Sequence, residues 1–192
     1  MAATVYSAVP QSSSRPLRFL LLALHASGGL IGGCITGALL GLIGRLVAPA
    51  PPIVLVAILV AVAFIEFRSV NLGLYQPQRG VPKDWLNWPR AAYVSAYGVV
   101  LGAGLFTPYG SSSVIALAAI AVLSRDVVAG ALVLGLYGLT RAIAEIVTGI
   151  AATSIGLSVA TGRAQATKVM LRQPMGALAL LGALAVALSG HF

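Results

Sequence analysis

From Phe19 to Val47 the chain runs for 29 residues with a single formal charge, Arg45, and a single histidine, His25. No other feature constrains the fold as strongly. A crossing helix needs about 20 apolar residues to span a hydrocarbon core of roughly 30 Å, and further apolar runs follow at 51–67, 91–123, 127–151 and 174–190. Charged residues make up 8% of the 192-residue chain and hydrophobic ones 59%. A soluble domain is nearer one quarter charged, because its solvated surface needs those groups. With so few charges to cover a water-facing shell, the remaining surface is predicted to face lipid. The expected class is an all-α integral membrane protein.

The runs define the expected organisation. Residues 1–18, "MAATVYSAVPQSSSRPLR", are polar and Ser-rich with Arg15 and Arg18, and read as a short disordered cytoplasmic tail. The apolar region behind them outruns a signal-peptide core of 7–15 residues, so it reads as a retained helix. Residues 19–192 then form one polytopic domain. Between the first two runs "APAPP" predicts a tight extended turn, since prolines lack a donor and disfavour helix in the residue before them. The polar stretch 68–92 carries Trp85 and Trp88, which suit the headgroup level of a membrane. The run 91–123 is too long for one upright helix and too short for two with a turn. "TPYGSSS" interrupts it at 107–113, with Pro108 and Gly110 breaking helical bonding, so a discontinuous or re-entrant helix is expected there. The link 152–173 contains an amphipathic stretch with Arg163, Lys168 and Arg172 that suits either the membrane surface or a plain loop.

Basic residues test the topology, because cytoplasmic loops are enriched in them. If 91–123 crosses once, nine of the twelve Lys and Arg lie inside, Arg45 and Arg125 lie outside, and Arg141 lies within the membrane. If it crosses twice, inside falls to seven and outside rises to four. Five segments, with the N-terminus inside and the C-terminus outside, follow. The expected location is a cell (inner or plasma) membrane with the lipid bilayer as partner, and the Ala, Gly and Val bias with little Lys suggests a bacterial source.

The net charge of +8 sits at the borders of apolar runs and not on a basic face with aromatic or motif support, so nucleic acid is not an expected partner. Cys34 is the only cysteine, which rules out an internal disulfide and a Cys-x-x-Cys pair. No phosphate-binding loop, zincin helix, nucleophile elbow or Cys/His ligand set occurs. No enzyme activity, cofactor or metal is therefore expected.

Four features carry chemistry or packing. Gly29, Gly33, Gly37 and Gly41 are spaced four apart, with Gly28 and Gly32 beside them. Such a face lets helices approach closely, whether the partner is another helix of this chain, a second copy or another subunit. His25 precedes this face and is either a proton relay or a backbone-bonded structural residue. The 107–113 break offers Thr107 and Tyr109 hydroxyls and freed backbone groups, the means by which transporters build substrate sites from interrupted helices; a Pro kink satisfied by neighbouring hydroxyls is the alternative. Arg141 and Glu145, four apart inside an apolar run, can pair on one helical face. Ionisable residues at such depth mark substrate or ion pathways by default, and a paired lock between helices is the alternative. Thr140 and Thr148 offer further polar contacts.

The stretch "GVVLGAGLFTPYGSSSVIALAAIAVLS", residues 98–124, resembles the first broken helix of a repeat in the membrane domain of the thiol–disulfide interchange and cytochrome c biogenesis family (the DsbD and CcdA type). Thr107-Pro108 matches that family's Thr-Pro-Cys-like break, but Tyr109 stands where the cysteine would be. "HASGGLIGGCITGALLGLIG", residues 25–44, is loosely similar to the partner repeat and holds Cys34 without a proline. The resemblance implies a transporter-like scaffold without the cysteine pair that the family's electron transfer requires. A redox carrier borrowing a partner's cysteine is the least favoured reading.

The expected function is permease-like handling of a small solute or ion, through Arg141, Glu145, His25 and the Thr107–Tyr109 break. The alternative is a non-transporting subunit or assembly factor of a larger membrane complex, docked through the glycine face.

Overall fold

The computed structural model describes residues 14–47, 49–68, 83–104, 113–155 and 181. Among them the chain is helical and holds no strand. The helices are α1 (Arg15–Leu46), α2 (Pro52–Phe67), α3 (Arg90–Ala103), α4 (Ser113–Leu123) and α5 (Val127–Ile155), with a 3-10 turn at Lys83–Asn87 before α3. Among the described residues, only α1 and the stretch Val127–Ile150 of α5 are long and apolar enough to cross a membrane by length and composition. At 1.5 Å per residue, α1 is about 48 Å long and α2 only about 24 Å.

Two boundaries differ from the sequence expectation. Helix α1 starts at Arg15 and not after Arg18, taking four residues from the expected tail. Pro16 falls in its first turn, where a missing N–H costs nothing and the fixed φ suits a helix. Between α1 and α2, Pro52 is helical while Pro51 stays extended with ψ 149°; the last proline of "APAPP" opens the helix instead of closing the turn. The run 91–123 is divided, as α3 stops at Ala103 and α4 begins at Ser113. The stop is Gly104, left-handed with φ 73°, a conformation that glycine adopts without steric penalty. Residues 107–112, including Thr107, Pro108, Tyr109 and Gly110, lie outside the described residues, as does the 174–190 segment apart from Leu181 and the 156–173 part of the link.

Helix α1 is the axis of the bundle, and its glycines are shared among three neighbours. A Cβ on Gly33, Gly37 or Gly41 would run into the backbone carbonyl of Leu134, Gly130 or Asp126 on α5. Partners falling by four along α5 as the glycines rise by four along α1 make the two helices antiparallel. Gly28 and Gly32 turn to α3, against the carbonyls of Ser95 and Val99, and Gly44 turns to α4 against that of Val122. The α3 register rises with that of α1, so α3 runs parallel to it, and the end of α4 lies beside the end of α1. At the centre Gly29, Gly102 and Gly138 meet: a Cβ on Gly102 or Gly138 would strike the Gly29 carbonyl. Helix α2 packs instead on α4, where Leu55, Leu59, Val62 and Ala116 form a buried apolar cluster.

The polar ends are closed locally. The Arg125 Nε donates to the Gly44 carbonyl at 3.1 Å and its Nη2 to the Arg45 carbonyl at 3.3 Å, while Arg45 Nε donates back to the Arg125 carbonyl at 3.1 Å. These bonds satisfy the orphan carbonyls at the end of α1. Arg125 holds φ +53° to make the turn between α4 and α5, and Asp126 Oδ1 caps α5 by accepting from the Val128 N–H at 2.7 Å. Thr36 Oγ1 donates to the Gly32 carbonyl at 3.1 Å and approaches the Ala103 carbonyl, freed where α3 stops, at 3.5 Å. Away from these contacts the outer face is apolar and exposed: Ile31, Ile35 and Leu39 on α1, and Val128, Leu132 and Leu136 on α5.

The glycine registers give a direct expectation. Gly37→Leu forces a side chain into a neighbouring backbone, and such overpacking costs about 1–3 kcal/mol or more; thermal unfolding in mild detergent should show a clear loss for it, and almost none for Leu39→Met on the exposed face. At the turn, Arg125→Gly loses the guanidinium bonds but relieves the left-handed backbone. It should therefore be more stable than Arg125→Ala by about 1 kcal/mol, and the reverse order would contradict the cap described.

Candidate functional site

Five side chains from three helices gather where the glycine contacts end. One turn before Gly29 on α1 stands His25, its side chain fully buried. The antiparallel register places the α5 residues after Ala142 beside it, and Ala142 itself lies against Gly29. Here α5 carries Arg141 and Glu145. The third wall is α3, drawn in because the His25 carbonyl rests on the bare Cα of Gly98; it supplies Tyr93 and Tyr97, both buried. Small residues at Gly28, Gly29, Gly98 and Gly138 are thus the reason that long polar side chains from separate helices can meet.

Glu145 is the hub. Tyr97 Oη donates to Glu145 Oε1 at 3.3 Å, and His25 Nε2 stands 3.6 Å from Glu145 Oε2. The His25 and Tyr97 rings stack with centroids 5.7 Å apart, and Tyr97 stacks on Tyr93 at 6.3 Å. The result is an aromatic ladder rising from Tyr93 toward the carboxylate. Arg141, one turn before Glu145 and half-buried, is near enough for its charge to act on both Glu145 and Tyr97. Among the described residues, four buried polar atoms on three of these side chains keep no hydrogen-bond partner: His25 Nδ1 and Nε2, Glu145 Oε2 and the Tyr93 hydroxyl. Buried polar atoms are ordinarily bonded, so this cluster stands apart from an ordinary packed core.

The structure treats the sequence candidates unequally. It joins His25 to Glu145, which lie 120 positions apart in the chain, and sets Glu145 between α1 and α3 as well as one turn from Arg141. Thr140 and Thr148 do not extend the cluster: their hydroxyls donate to carbonyls of their own helix, Thr140 to Tyr137 at 2.8 Å and Thr148 to Ala144 at 2.8 Å. Thr107 and Tyr109 lie outside the described residues. Gly29, Gly33, Gly37 and Gly41 face α5 of the same chain, and Cys34 Sγ fills the notch at Gly135. Trp85 and Trp88 stack on each other, 5.0 Å apart, in the turn before α3. Sequence reasoning passed over Tyr93 and Tyr97; their spacing of four in "AAYVSAYG" was the available signal, one helical face inside an apolar run. It also passed over Glu66, buried near the end of α2. Among the described residues no group of three His, Cys, Asp or Glu could hold a metal ion.

Comparison with known proteins finds no family model, no curated protein and no solved structure that matches this chain. What the site does must be argued from its chemistry. A carboxylate, an imidazole and two phenols can bind, pass or hold a proton, and Arg141 supplies a fixed positive charge beside them. A nucleophile poised against a base does not occur in this cluster.

Removing the Tyr97 hydroxyl tests the hub. Hydrogen bonds to charged groups contribute about 1.5–3 kcal/mol, so Tyr97→Phe should lower stability in detergent by that order and Tyr93→Phe by less, because the Tyr93 hydroxyl has no bond to lose. Equal losses would remove Tyr97 from its place on Glu145.

Proposed function

We propose that the chain is a multi-pass protein of a cell membrane, permease-like, handling a small solute or ion at the His25–Tyr97–Glu145 cluster formed by α1, α3 and α5. One observation carries the reading: titratable side chains from three helices converge inside an otherwise apolar bundle and leave polar atoms without hydrogen-bond partners among the described residues. Ionisable groups at membrane depth are costly and mark substrate or ion pathways. A pure helix lock would be expected to close its own hydrogen bonds.

Two further features support membrane residence. The large exposed side chains fall on the faces of α1 and α5 opposite the glycine contacts, a band that water would penalise and lipid accepts. The carbonyl freed at Ala103 is met by Thr36, the kind of satisfaction that an interrupted helix needs where no water is present. The parallel run of α3 beside α1, and the end of α4 lying at the end of α1, support counting them as one interrupted crossing. The subunit reading loses its expected dock, since the glycine face is covered by α5, and any partner would have to use another surface.

Accessibility distinguishes a pathway from a lock without knowing the solute. In a Cys34→Ser background, full-length protein in sealed vesicles is treated with a charged thiol reagent. Tyr93→Cys should be labelled, whereas Leu59→Cys in the α2–α4 seam should not. If Tyr93→Cys is as inert as Leu59→Cys, and Glu145→Cys likewise, the cluster is sealed and the permease reading fails. Release of the protein by alkaline extraction would remove the membrane reading itself.

A further inference from the structure

The unpartnered atoms of the cluster define what it can hold. Tyr97 occupies Glu145 Oε1, which leaves Oε2 facing His25 Nε2 across 3.6 Å. Hydrogen bonds of this type close at about 2.7–3.2 Å, so the gap is a few tenths of an ångström beyond bonding. Directly between the two atoms there is room for a hydrogen and for nothing larger. A metal cation is disfavoured a second time by the Arg141 charge one turn away and by the lack of further acid ligands among the described residues. The groups facing the pair are Tyr93 and Tyr97 from α3 and Arg141 from α5; residues 114–123 of α4 carry no ionisable side chain.

Access is unequal on the two sides. His25 lies seven residues, about 10 Å of helix, from Arg18, and the Tyr97–Tyr93 ladder leads toward Arg90 at the same end of the bundle. On the other side Gly29, Gly102 and Gly138 bring three backbones together, leaving no side chain at that junction, among the described residues, to carry a proton onward.

We propose that His25 and Glu145 form a proton-binding site, exchanging with water at the Arg18–Arg90 end and closed beyond by the Gly29–Gly102–Gly138 junction. This names the ion of the site proposed above, and rests on the membrane reading only for its sidedness. Empty, the pair is a neutral imidazole and a carboxylate. Taking one proton from water brings the pair to neutrality. That proton sits on Oε2 as a carboxylic acid or, when the O–H bond breaks and the Nε2 lone pair takes the hydrogen, on the ring as an imidazolium beside a carboxylate. Tyr97 holds Oε1 in both states, and no other reactant is needed.

With four Asp and Glu residues in the whole chain, infrared difference spectroscopy of the full-length protein in mild detergent can assign the site. A carboxylic-acid carbonyl band whose intensity follows pH is expected. It should be lost in Glu145→Gln, kept in Glu66→Gln and displaced in pH by His25→Gln. If Glu145→Gln fails to fold, Glu145→Asp should move the band in frequency. A missing band, a band unchanged by the Glu145 variants, or one indifferent to His25→Gln overturns the proposal and leaves Glu145 as a permanent ionic partner. In vesicles of uniform orientation the band should follow pH at the Arg18 face alone, and a response at the opposite face overturns the one-sided closure. Protein that gives the expected detergent spectra but fails to enter vesicles strikes the membrane reading and leaves the proton site standing.

Discussion

Backbone-to-backbone contact along α1 is the constraint on which the other features depend. The absent side chains of Gly33, Gly37 and Gly41 let the α5 main chain approach until its carbonyls sit where a Cβ would otherwise be. At that separation many weak dispersion and Cα–H···O contacts add up. They also hold the register, because a one-residue slip would press Cys34, Ala38 and Leu42, or Thr36 and Leu40, into a backbone. Gly28 and Gly32 do the same toward α3, so one helix organises two neighbours at fixed heights.

That fixed register turns scattered polar residues into a site. His25 stands one turn before Gly29, Tyr97 stands next to Gly98 and Glu145 about two turns past Gly138, and all three arrive at one level. Bulkier contact residues would hold the helices apart and leave the carboxylate without its phenol and imidazole. The same packing closes the cluster on one side, where the backbones of Gly29, Gly102 and Gly138 meet.

The other end of the bundle solves a different problem. Helices α1 and α4 both finish there, and the chain must turn sharply into α5. Arg125 accepts a left-handed backbone and, in return, its guanidinium closes carbonyls at the end of α1 while Arg45 closes its own. Two cations placed at helix C-termini also complement the partial negative charge there.

Much of this was legible in the chain itself. Apolar runs with basic borders required helices, because only a helix satisfies its own backbone without water or a partner strand. The four-residue glycine spacing announced a close contact, and Arg141 and Glu145 stood out because charges are rare within so long an apolar run. The interruption of the 91–123 run was also visible, although it begins at Gly104 and not at the Thr107–Pro108 pair, since a left-handed glycine ends α3 first. What the sequence did not contain was the pairing. Spacing along one helix shows that a face is bare but not which backbone will fill it, and α5 in place of a separate subunit was decided by the three-dimensional register. For the same reason the partnership of His25 with Glu145, and the entry of Tyr93 and Tyr97, belonged to tertiary structure alone. Local periodicity places a residue on its own helix, and only the packing of three helices at one height brings its chemistry together with that of the others.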